Sequence, residues 1–411
     1  MKEQVTAQNS KVLIGVTGGI AAYKALDVIS SLRKKNVEVK VIMTKNASSF
    51  VSPLTFQSIS QNPVAVDMFE KIQHFEIEHI ALAHWADVIA VVPATANIIG
   101  KVANGIADDL LSTTIMAASS EVIFAPAMNT YMFNNPIVQD NMEKLSKYNY
   151  SFIMPQSGRL ACGDTGIGKL EETEVITEVI LSKLNKNKDL KGSSVIVTAG
   201  PTISPIDPVR FISNNSSGKM GYAIAQEARD RGADVTLISG PTNLKPLYGV
   251  EMVNVNTNEE MMNAVLEKYD DADIVVKAAA VADYKIKEYS SDKIKKADSN
   301  LILEFKRDND ILSILGQRKK NQILVGFAAE SNNLIENSKN KIKKKNLDFI
   351  VANDITRKDT GFKSEDNKVT IIDKNGNEYN LEKMSKRNVA KKIFDLIKRR
   401  GCAFLYICNK R

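Results

Sequence analysis

Apolar residues follow two patterns along the chain, and the alternation between these patterns predicts the fold. Short continuous apolar runs, such as residues 12–16 and 195–197, are typical of buried parallel strands. Apolar residues spaced by three and four are typical of helices with one buried face. The helix predicted over residues 22–35 has such a face: Ala22, Ala25, Leu26, Ile29 and Leu32. Strands that alternate with helices in this way predict an α/β fold with parallel sheets.

The arrangement of strand, small-residue loop and helix occurs twice, which predicts two doubly wound α/β domains. The first loop follows residue 16 and contains Gly18, Gly19 and Ala21. The second runs from Thr198 to Lys219 with three prolines, and structureless loops of this length are usually functional. We predict domains over residues 1–188 and 189–400, joined by the polar linker 185–189, with a tail of unassigned role over residues 401–411.

Polar residues follow the carboxyl ends of several predicted strands, where open α/β sheets bind their ligands. In the first half, the strand 87–92 ends at Thr95 and Asn97, and the strand 121–124 ends at Asn129. In the second half, the strand 274–276 leads to Asp283, and a helix begins near Asp310. The sequence therefore predicts a ligand site at one edge of each sheet.

Composition limits the classes of function. The chain has 411 residues, of which 44% are hydrophobic and 25% charged, and its formal net charge is +7. No apolar run reaches the roughly 18 residues of a spanning helix, and the N-terminus does not look like a signal peptide, so we expect a cytoplasmic protein. The positive charge favours anionic ligands. The densest lysine run, residues 339–345, has no interleaved aromatic residues and so does not predict nucleic-acid binding.

The histidines and cysteines suggest chemistry other than metal binding or disulfide formation. Successive histidines among His74, His79 and His84 are five positions apart, a spacing that turns about 140° around a helix, so they do not share a face for a metal ion. One of them is either catalytic or an ordinary surface or core histidine. Cys162 lies in the glycine-rich stretch 157–168, whose composition is that of a flap rather than of a core. Three cysteines are too few for a disulfide framework.

Lysines lie close in sequence to the predicted strand ends of the second half. Lys293, Lys295 and Lys296 follow Asp283, and Lys341 and Lys345 follow Asp310. Such lysines form either a solvated face or, together with a carboxylate that holds Mg²⁺, a site for a nucleoside triphosphate.

Several motifs, in this order, resemble one known family. In the first half they are GGIAAYK (18–24), PATAN (93–97), PAMN (126–129) and ACGD (161–164). In the second half they are TAGPT (198–202), SNNSSGKMG (213–221), AAVADY (279–284), KIKK (293–296) and GFAAE (326–330). The chain resembles the bifunctional phosphopantothenoylcysteine decarboxylase/phosphopantothenate–cysteine ligases of coenzyme A biosynthesis. The resemblance implies a flavodoxin-like flavin-binding domain followed by a Rossmann-like nucleotide-binding domain.

For the first domain, the resemblance implies an FMN-dependent decarboxylation of 4'-phosphopantothenoylcysteine to 4'-phosphopantetheine. His79 would be the base of the oxidative step, Asn129 would hold the substrate carboxylate, and Cys162 would deliver a proton in the reductive step. The implied cofactor-binding residues are Gly18, Gly19, Ile20, Ala21, Thr44, Pro93, Thr95 and Asn97.

For the second domain, the resemblance implies that 4'-phosphopantothenate and cysteine are joined with CTP through an acyl-cytidylate. Lys293 would neutralise charge on the α-phosphate, Asn214 would stabilise the acyl-cytidylate, and Asp283 would hold Mg²⁺. The implied nucleotide-binding residues are Ala279, Asp283, Lys293, Asn309, Asp310, Ile311, Leu312, Phe327, Lys341 and Lys345. Asn309 stands where the family often has proline.

The resemblance also implies homo-oligomers, with trimeric flavin sites and dimeric ligase domains, and no nucleic-acid or membrane partner. Two other functions are consistent with the sequence. One is a single-activity flavoprotein decarboxylase whose second domain binds a nucleotide or mediates assembly. The other is a non-catalytic regulator that binds a flavin or a nucleotide.

Overall fold

A computed structural model describes residues 10–68, 77–161, 163–295, 301–330, 333–354 and 364–400. The chain divides into two compact units between Lys186 and Asn187, close to the boundary predicted after residue 188. Within the described ranges, no helix combines the length and the apolar character needed to cross a membrane. Residues 401–411, the predicted tail, lie outside these ranges.

The first unit is built on a six-stranded parallel sheet in the order β3-β2-β1-β4-β5-β6. Its strands are β1 (Lys11–Val16), β2 (Glu38–Met43), β3 (Val64–Ala65), β4 (Val88–Ala94), β5 (Glu121–Pro126) and β6 (Ser151–Phe152). Apart from the two-residue β3, the order is that of flavodoxin-like sheets, with the switch point between β1 and β4. The predicted fold class is confirmed for this unit.

Alternating strand side chains are apolar on both faces of this sheet, so helices cover and bury both faces. Val12 and Ile14 of β1 join one core cluster, and Leu13 joins the other. A 3₁₀ helix, Ile20–Lys24, leads into the first α-helix. The α-helices are α1 (Ala25–Lys34), α2 (Lys45–Ser48), α3 (Pro53–Ser60), α4 (Glu78–Trp85), α5 (Ala96–Ala103), α6 (Leu110–Ala117), α7 (Thr130–Phe133), α8 (Pro136–Lys147) and α9 (Thr173–Leu184). The glycine-rich stretch forms an antiparallel hairpin of β7 (Gln156–Arg159) and β8 (Thr165–Lys169).

The second unit is built on an eight-stranded sheet in the order β13-β12-β9-β14-β17-β18-β20-β21. The first six strands of this order pair in parallel, β20 pairs antiparallel with β18, and β21 pairs antiparallel with β20. Its sheet strands are β9 (Ser194–Ala199), β12 (Asp234–Ser239), β13 (Glu251–Asn254), β14 (Ile274–Lys277), β17 (Ile323–Glu330), β18 (Phe349–Asp354), β20 (Val369–Asp373) and β21 (Glu378–Asn380). The six parallel strands follow the Rossmann order, as predicted, with the switch point between β9 and β14.

Among its described residues, three small antiparallel pairs and five helices complete this unit. The pairs are β10 (Ile203–Pro205) with β11 (Phe211–Ser213), β15 (Tyr284–Ile286) with β16 (Phe305–Arg307), and β19 (Asp366–Asn367) with β22 (Met384–Ser385). The helices are α10 (Lys219–Asp230), α11 (Asn258–Tyr269), α12 (Ile311–Arg318), α13 (Leu334–Lys344) and α14 (Lys386–Arg400).

The long proline-containing loop predicted between Thr198 and Lys219 is not structureless, because it contains the β10–β11 hairpin. Side-chain hydroxyls stabilise this hairpin against the chain that follows β14. Thr202 Oγ1 accepts a hydrogen bond from the N–H of Ala282 at 3.4 Å, and Ser204 Oγ accepts one from the N–H of Ile286 at 3.1 Å. These partners lie about 80 residues further along the chain, so local sequence patterns do not reveal them.

The amino ends of the two switch-point strands are joined in the same way in both units. Asp87 Oδ2 accepts a hydrogen bond from the N–H of Lys11 at 2.9 Å. Asp273 Oδ2 accepts one from the N–H of Ser194, also at 2.9 Å. Each aspartate directly precedes the second strand of its pair, so one carboxylate fixes the start of both strands.

Candidate active sites

A buried threonine joins the carboxyl ends of β1 and β4 in the first unit. Thr17 Oγ1 donates a hydrogen bond to the carbonyl oxygen of Pro93 at 2.7 Å and accepts one from the N–H of Thr95 at 3.1 Å. The loop that begins at Gly18 and the turn that begins at Thr95 are therefore held at one edge of the sheet, at its switch point. Most of the predicted cofactor-binding residues lie in these two loops; Pro93 is in β4, and Thr44 lies in the turn after β2.

The backbone at Gly18 is packed so closely that no side chain fits there. A Cβ at Gly18 would lie 2.5 Å from Cβ of Asn46. Asn46 follows Thr44, whose N–H donates to the carbonyl oxygen of Val16 at 3.0 Å and whose side chain caps α2 by accepting from the N–H of Ala47 at 3.3 Å. Thr44 thus holds the β2–α2 turn against the loop after β1.

These residues fit the phosphate end of a flavin nucleotide. The first N–H groups of a helical segment have no partner within the helix, and the segment that begins at Ile20 presents them beside the Gly18–Gly19 turn. Ile20 itself is 61% exposed, so its part in such a site is through its backbone. Asn97 is exposed in the first turn of α5, where its amide is accessible to a ligand.

The β7–β8 hairpin contacts Asn129 through its turn and the neighbouring Met128 through its base. Its Oδ1 accepts from the N–H of Tyr131 at 2.8 Å, and its Nδ2 lies 3.4 Å from Oδ2 of Asp164. The N–H of Met128 donates to the carbonyl oxygen of Gly168 at 3.0 Å. Gly168 has φ +138°, and a Cβ there would lie 2.2 Å from the carbonyl oxygen of Met128, so only glycine allows this contact.

The remaining decarboxylase candidates are less closely connected. His79 is half-buried in the first turn of α4, and the described contacts do not link it to Asn129 or Thr17. His84 is exposed at the other end of α4. His74 and Cys162 lie outside the described residues, so the role predicted for Cys162 stays a prediction. The role predicted for His79 also stays a prediction, because no described contact tests it. Across the described part of the chain, no three His, Cys, Asp or Glu residues form a potential metal site.

In the second unit, a buried threonine again joins the two switch-point strands. Thr198 Oγ1 accepts a hydrogen bond from the N–H of Ala279 at 3.2 Å. The N–H of Ala280 donates to the carbonyl oxygen of Gly200 at 2.9 Å, and Asn214 Nδ2 donates to the carbonyl oxygen of Ala280 at 3.1 Å. The structure therefore brings Asn214 to the loop that carries Ala279 and Asp283.

A group of lysines surrounds the carboxyl end of β14, and its central member, Lys277, was missed by the sequence analysis. Burial, together with the positive charges of Lys345 and Lys341, lowers the pKa of Lys277 to about 8, while Asp310 and Asp283 oppose this shift. All four neighbours are predicted nucleotide-binding residues. Because their charges all act on Lys277, they lie around its side chain. The sequence did indicate this position, because Lys277 ends the apolar run of β14 at the carboxyl end of the strand, where such sheets bind ligands.

The first turn of α12 contributes to this site through Asp310 and the backbone. Asp310 accepts from the N–H of Ser313 at 3.1 Å and forms an ion pair of 2.7 Å with Lys345 Nζ. Ile311 and Leu312 are only 2% and 6% exposed, so their side chains belong to the core and their N–H groups face the end of the helix. Asn309 is exposed, and its carbonyl oxygen accepts from Asn258 Nδ2 at 2.9 Å. Phe327 is half-buried in β17.

Lys293 lies on a separate segment. It is exposed, in the connection from β15 to β16, and the described contacts do not join it to Lys277. Lys296, in the same motif, lies outside the described residues.

Asp283 fits the role of a magnesium ligand next to a triphosphate. Its carboxylate is exposed, whereas that of Asp310 is engaged by Lys345 and Ser313. Mg²⁺ at phosphates commonly uses one or two protein carboxylates, with water and phosphate oxygens as its other ligands. An exposed carboxylate whose charge acts on the neighbouring Lys277 therefore suits this ion.

Comparisons with known proteins agree with this division into two sites. Residues 1–185 match the family model described as Flavoprotein, and residues 190–400 match the model described as DNA/pantothenate metabolism flavoprotein C-terminal domain. The chain is 48% identical over 392 residues to the Coenzyme A biosynthesis bifunctional protein CoaBC of Bacillus subtilis, covering 95% of this chain and 97% of that protein. It is 45% identical over 393 residues to the protein of the same name from Borreliella burgdorferi, covering 95% and 99%.

A crystal structure of the C-terminal domain of a CoaBC protein is also similar. Its sequence is 41% identical, and the match covers 52% of this chain and 98% of that one, with a TM-score of 0.46.

Fold, site and sequence matches together define a two-domain flavoprotein enzyme. The chain belongs to the family of coenzyme A biosynthesis bifunctional proteins, CoaBC. It is thus a bifunctional enzyme, with a flavoprotein decarboxylase unit followed by a ligase unit, as the sequence analysis predicted.

Proposed function

We propose that the second unit joins 4'-phosphopantothenate to cysteine with CTP, and that the first unit decarboxylates the product to 4'-phosphopantetheine with FMN. The observation that carries the proposal is the group of Lys277, Lys341 and Lys345 beside the exposed carboxylate of Asp283. Three cations and one magnesium ligand at the switch point of a Rossmann-type sheet suit a triphosphate.

The ligase unit must activate a carboxylate, because a carboxylate does not accept an amine unaided. Its attack on the α-phosphate of CTP forms an acyl-cytidylate and releases pyrophosphate. The amine of cysteine then attacks the acyl carbon and releases CMP. Lys293 neutralises the charge that develops on the α-phosphate, and the Asn214 amide stabilises the acyl-cytidylate. The lysines around Lys277 would hold the other phosphates, and Asp283 would hold Mg²⁺, which would neutralise phosphate charge.

The decarboxylase unit faces a different problem, because direct loss of CO₂ from a cysteine carboxylate leaves an unstabilised carbanion. FMN held there would supply reversible two-electron redox chemistry: the thiol could be oxidised to a thioaldehyde that accepts the electrons left by CO₂, and the same two electrons would be returned in the final reduction. The loop from Gly18 to Ala21 binds the cofactor phosphate, with Thr44 and Thr95 beside it. Asn129, which the β7–β8 hairpin contacts, holds the substrate carboxylate. His79 acts as a base, and Cys162 returns a proton when the double bond is reduced.

Exposed apolar side chains beside both sites support the proposed homo-oligomers, trimeric at the flavin sites and dimeric at the ligase units. In the first unit they lie in the 3₁₀ helix and α7: Ile20, Tyr23, Tyr131 and Met132. In the second they lie on the β10–β11 and β15–β16 hairpins: Val209, Phe211, Ile212, Tyr284 and Phe305. Groups of this kind are typical of surfaces covered by a partner.

The experiment that tests the function is incubation of the purified chain with 4'-phosphopantothenate, cysteine, CTP and Mg²⁺, with the products identified by mass. We expect 4'-phosphopantetheine, CMP, pyrophosphate and CO₂. Decarboxylation of supplied 4'-phosphopantothenoylcysteine without any ligation would favour the single-activity decarboxylase instead. A colourless protein that turns over neither substrate would contradict both.

Lys293→Gln tests the residue assignment within the ligase site. We expect the ligation rate to fall by about 10²–10³, because one positioned donor to a developing charge is lost. The affinity for CTP should change much less, because the other lysines and Mg²⁺ hold the ground-state phosphates. Lys295→Gln, two residues along the same exposed segment, is the matched control. Loss of CTP binding at an unchanged maximal rate would make Lys293 an anchor rather than a catalytic residue.

A further inference from the structure

The segment that carries Lys293 is attached to the rest of the unit through the turn between β10 and β11. We call residues 287–295 the strap. The N–H of Ser290, in the strap, donates to the carbonyl oxygen of Ile206 at 3.1 Å. Ile294, the residue after Lys293, has both of its backbone polar groups bound by the same turn. Its N–H donates to Asp207 Oδ2 at 3.2 Å, and its carbonyl oxygen accepts from Arg210 Nη2 at 2.7 Å.

The charged side chain of Asp207, in this turn, is inaccessible to solvent. Its Oδ1 accepts from the N–H groups of Val209 and Arg210 at 2.8 and 2.7 Å, which closes the turn. Its second oxygen is directed to the strap. Burial opposes ionisation, but the three backbone N–H groups hold the pKa of Asp207 below its ordinary value, so the carboxylate is charged at neutral pH.

We propose that Asp207 is the positioning residue for Lys293: its buried carboxylate fixes the backbone of Ile294 and thereby the path of the strap on which Lys293 lies. A long, exposed lysine can meet a developing charge reliably only if its backbone is fixed. One turn that holds the N–H and the C=O of the adjacent residue provides this restraint without touching the Lys293 side chain. The inference rests on the ligase role proposed above for Lys293.

Asp207→Asn separates the two contacts of this side chain. The amide oxygen of asparagine can still accept from Val209 and Arg210 and close the turn. Its NH₂ group cannot accept from the N–H of Ile294, so the contact with the strap is lost. We expect hydrogen exchange at the Ile294 amide to become at least about tenfold faster, with protection elsewhere in the unit retained. The ligation kcat should fall about 10- to 100-fold, with a change in the CTP KM of less than about threefold.

The matched control is Asp373→Asn. Asp373 is also a buried carboxylate in a hairpin turn of this unit, where its Oδ1 accepts from the N–H groups of Asn375 and Asn377, both at 2.9 Å. The contacts described for the Asp373 side chain stay within its own turn and do not reach the strap, so this variant measures the cost of weakening a turn alone. We expect it to keep its ligation kcat. If Asp207→Asn is insoluble, Asp207→Ser, which keeps a capping oxygen too short to reach Ile294, takes its place.

A double variant tells positioning from a general structural role. If Asp207 acts through Lys293, adding Asp207→Asn to Lys293→Gln should lower the residual ligation rate no further. A further loss equal to that of Asp207→Asn alone would overturn the inference, and so would a normal kcat in Asp207→Asn when Lys293→Gln is inactive. Ligation that survives Lys293→Gln would overturn the role proposed for Lys293 itself, and the inference with it.

Discussion

At the scale of single residues, the side chains that shape the two sites are short and polar, and they act on the backbone. Thr17 and Thr198 each use one hydroxyl to join two strand ends, and Asp207 uses one carboxylate to join a turn to the strap. The backbone from which longer side chains, such as those of Lys277 and Lys345, extend is then fixed. Substitution of a short residue should therefore change the geometry of a site whose reactive groups are all still present.

Lys277 gives a prediction about proton uptake. Because burial and the neighbouring lysines lower its pKa to about 8, it is mainly neutral at pH 8.5 in the free protein. A bound triphosphate favours the charged form, so we expect CTP binding at this pH to take up roughly half a proton or more. Calorimetric titration in two buffers of different ionisation enthalpy measures this number. Lys277→Met should abolish the uptake, whereas Lys268→Met, at a half-buried lysine paired with Glu251, should not.

The same pKa has a consequence for stability in the absence of nucleotide. The folded-state pKa of Lys277 is below its unfolded value of 10.5, so the unfolded chain binds more protons between about pH 8 and pH 10.5. The contribution of Lys277 to the free energy of unfolding therefore becomes more favourable as pH rises through this window. For the binding experiment above, proton uptake on CTP binding that persists in Lys277→Met would show that another group titrates instead.

At the scale of elements, apolar runs predicted central strands of both sheets, such as β1, β4, β9 and β14. They did not predict the edge strands β3 and β13 or the small hairpins. In β10–β11 and β15–β16 each strand has only three residues, too few for a periodic pattern. Phe211, Tyr284 and Phe305 are exposed, so their hydrophobicity does not mark a core. The threonine contacts were missed because their partners are 76–81 residues away. Motif residues at strand ends were predicted because parallel strands bring these ends to one edge.

The hairpin of β7 and β8 provides a prediction at the same scale. Gly168→Ala would place a Cβ 2.2 Å from the carbonyl oxygen of Met128 at a φ that suits only glycine. The hairpin base should separate from Met128, the neighbour of Asn129, and we expect the decarboxylation rate to fall at least about tenfold, with ligation unchanged. Both rates are measured with separately supplied substrates.

Gly105→Ala is the control for that variant. Gly105 also has a positive φ, of +70°, but a Cβ there meets nothing within 4 Å. It therefore tests backbone strain without the clash. Decarboxylation by Gly168→Ala at the rate of Gly105→Ala would show that the contact between Gly168 and Met128 does not position Asn129.

At the scale of the whole molecule, the chain changes from one unit to the other within very few residues. Lys186 Nζ pairs with Asp87 of the first unit at 2.8 Å, and Lys188 Nζ donates to the carbonyl oxygen of Asp230 of the second at 2.9 Å. Each unit has its own sheet and its own core clusters. We therefore propose that the two predicted domains fold and act independently.

A fragment that begins at Asn187 tests this independence. It keeps Lys188 and its contact, and we expect it to form 4'-phosphopantothenoylcysteine from 4'-phosphopantothenate, cysteine and CTP without any flavin. The complementary fragment, ending at Lys186, should bind FMN and decarboxylate that product. Product analysis by mass measures both steps. Soluble fragments that are inactive both apart and when mixed would contradict independent sites.

The two threonine contacts at the switch points have a genetic consequence. Thr17 and Thr198 each join strands of one unit only, so a substitution at either position should impair only the activity of that unit. A cell with one allele altered at Thr17 and another altered at Thr198 would contain an intact ligase unit on one polypeptide and an intact decarboxylase unit on the other. Because the intermediate is a small molecule that diffuses between them, two alleles that each fail alone would complement each other.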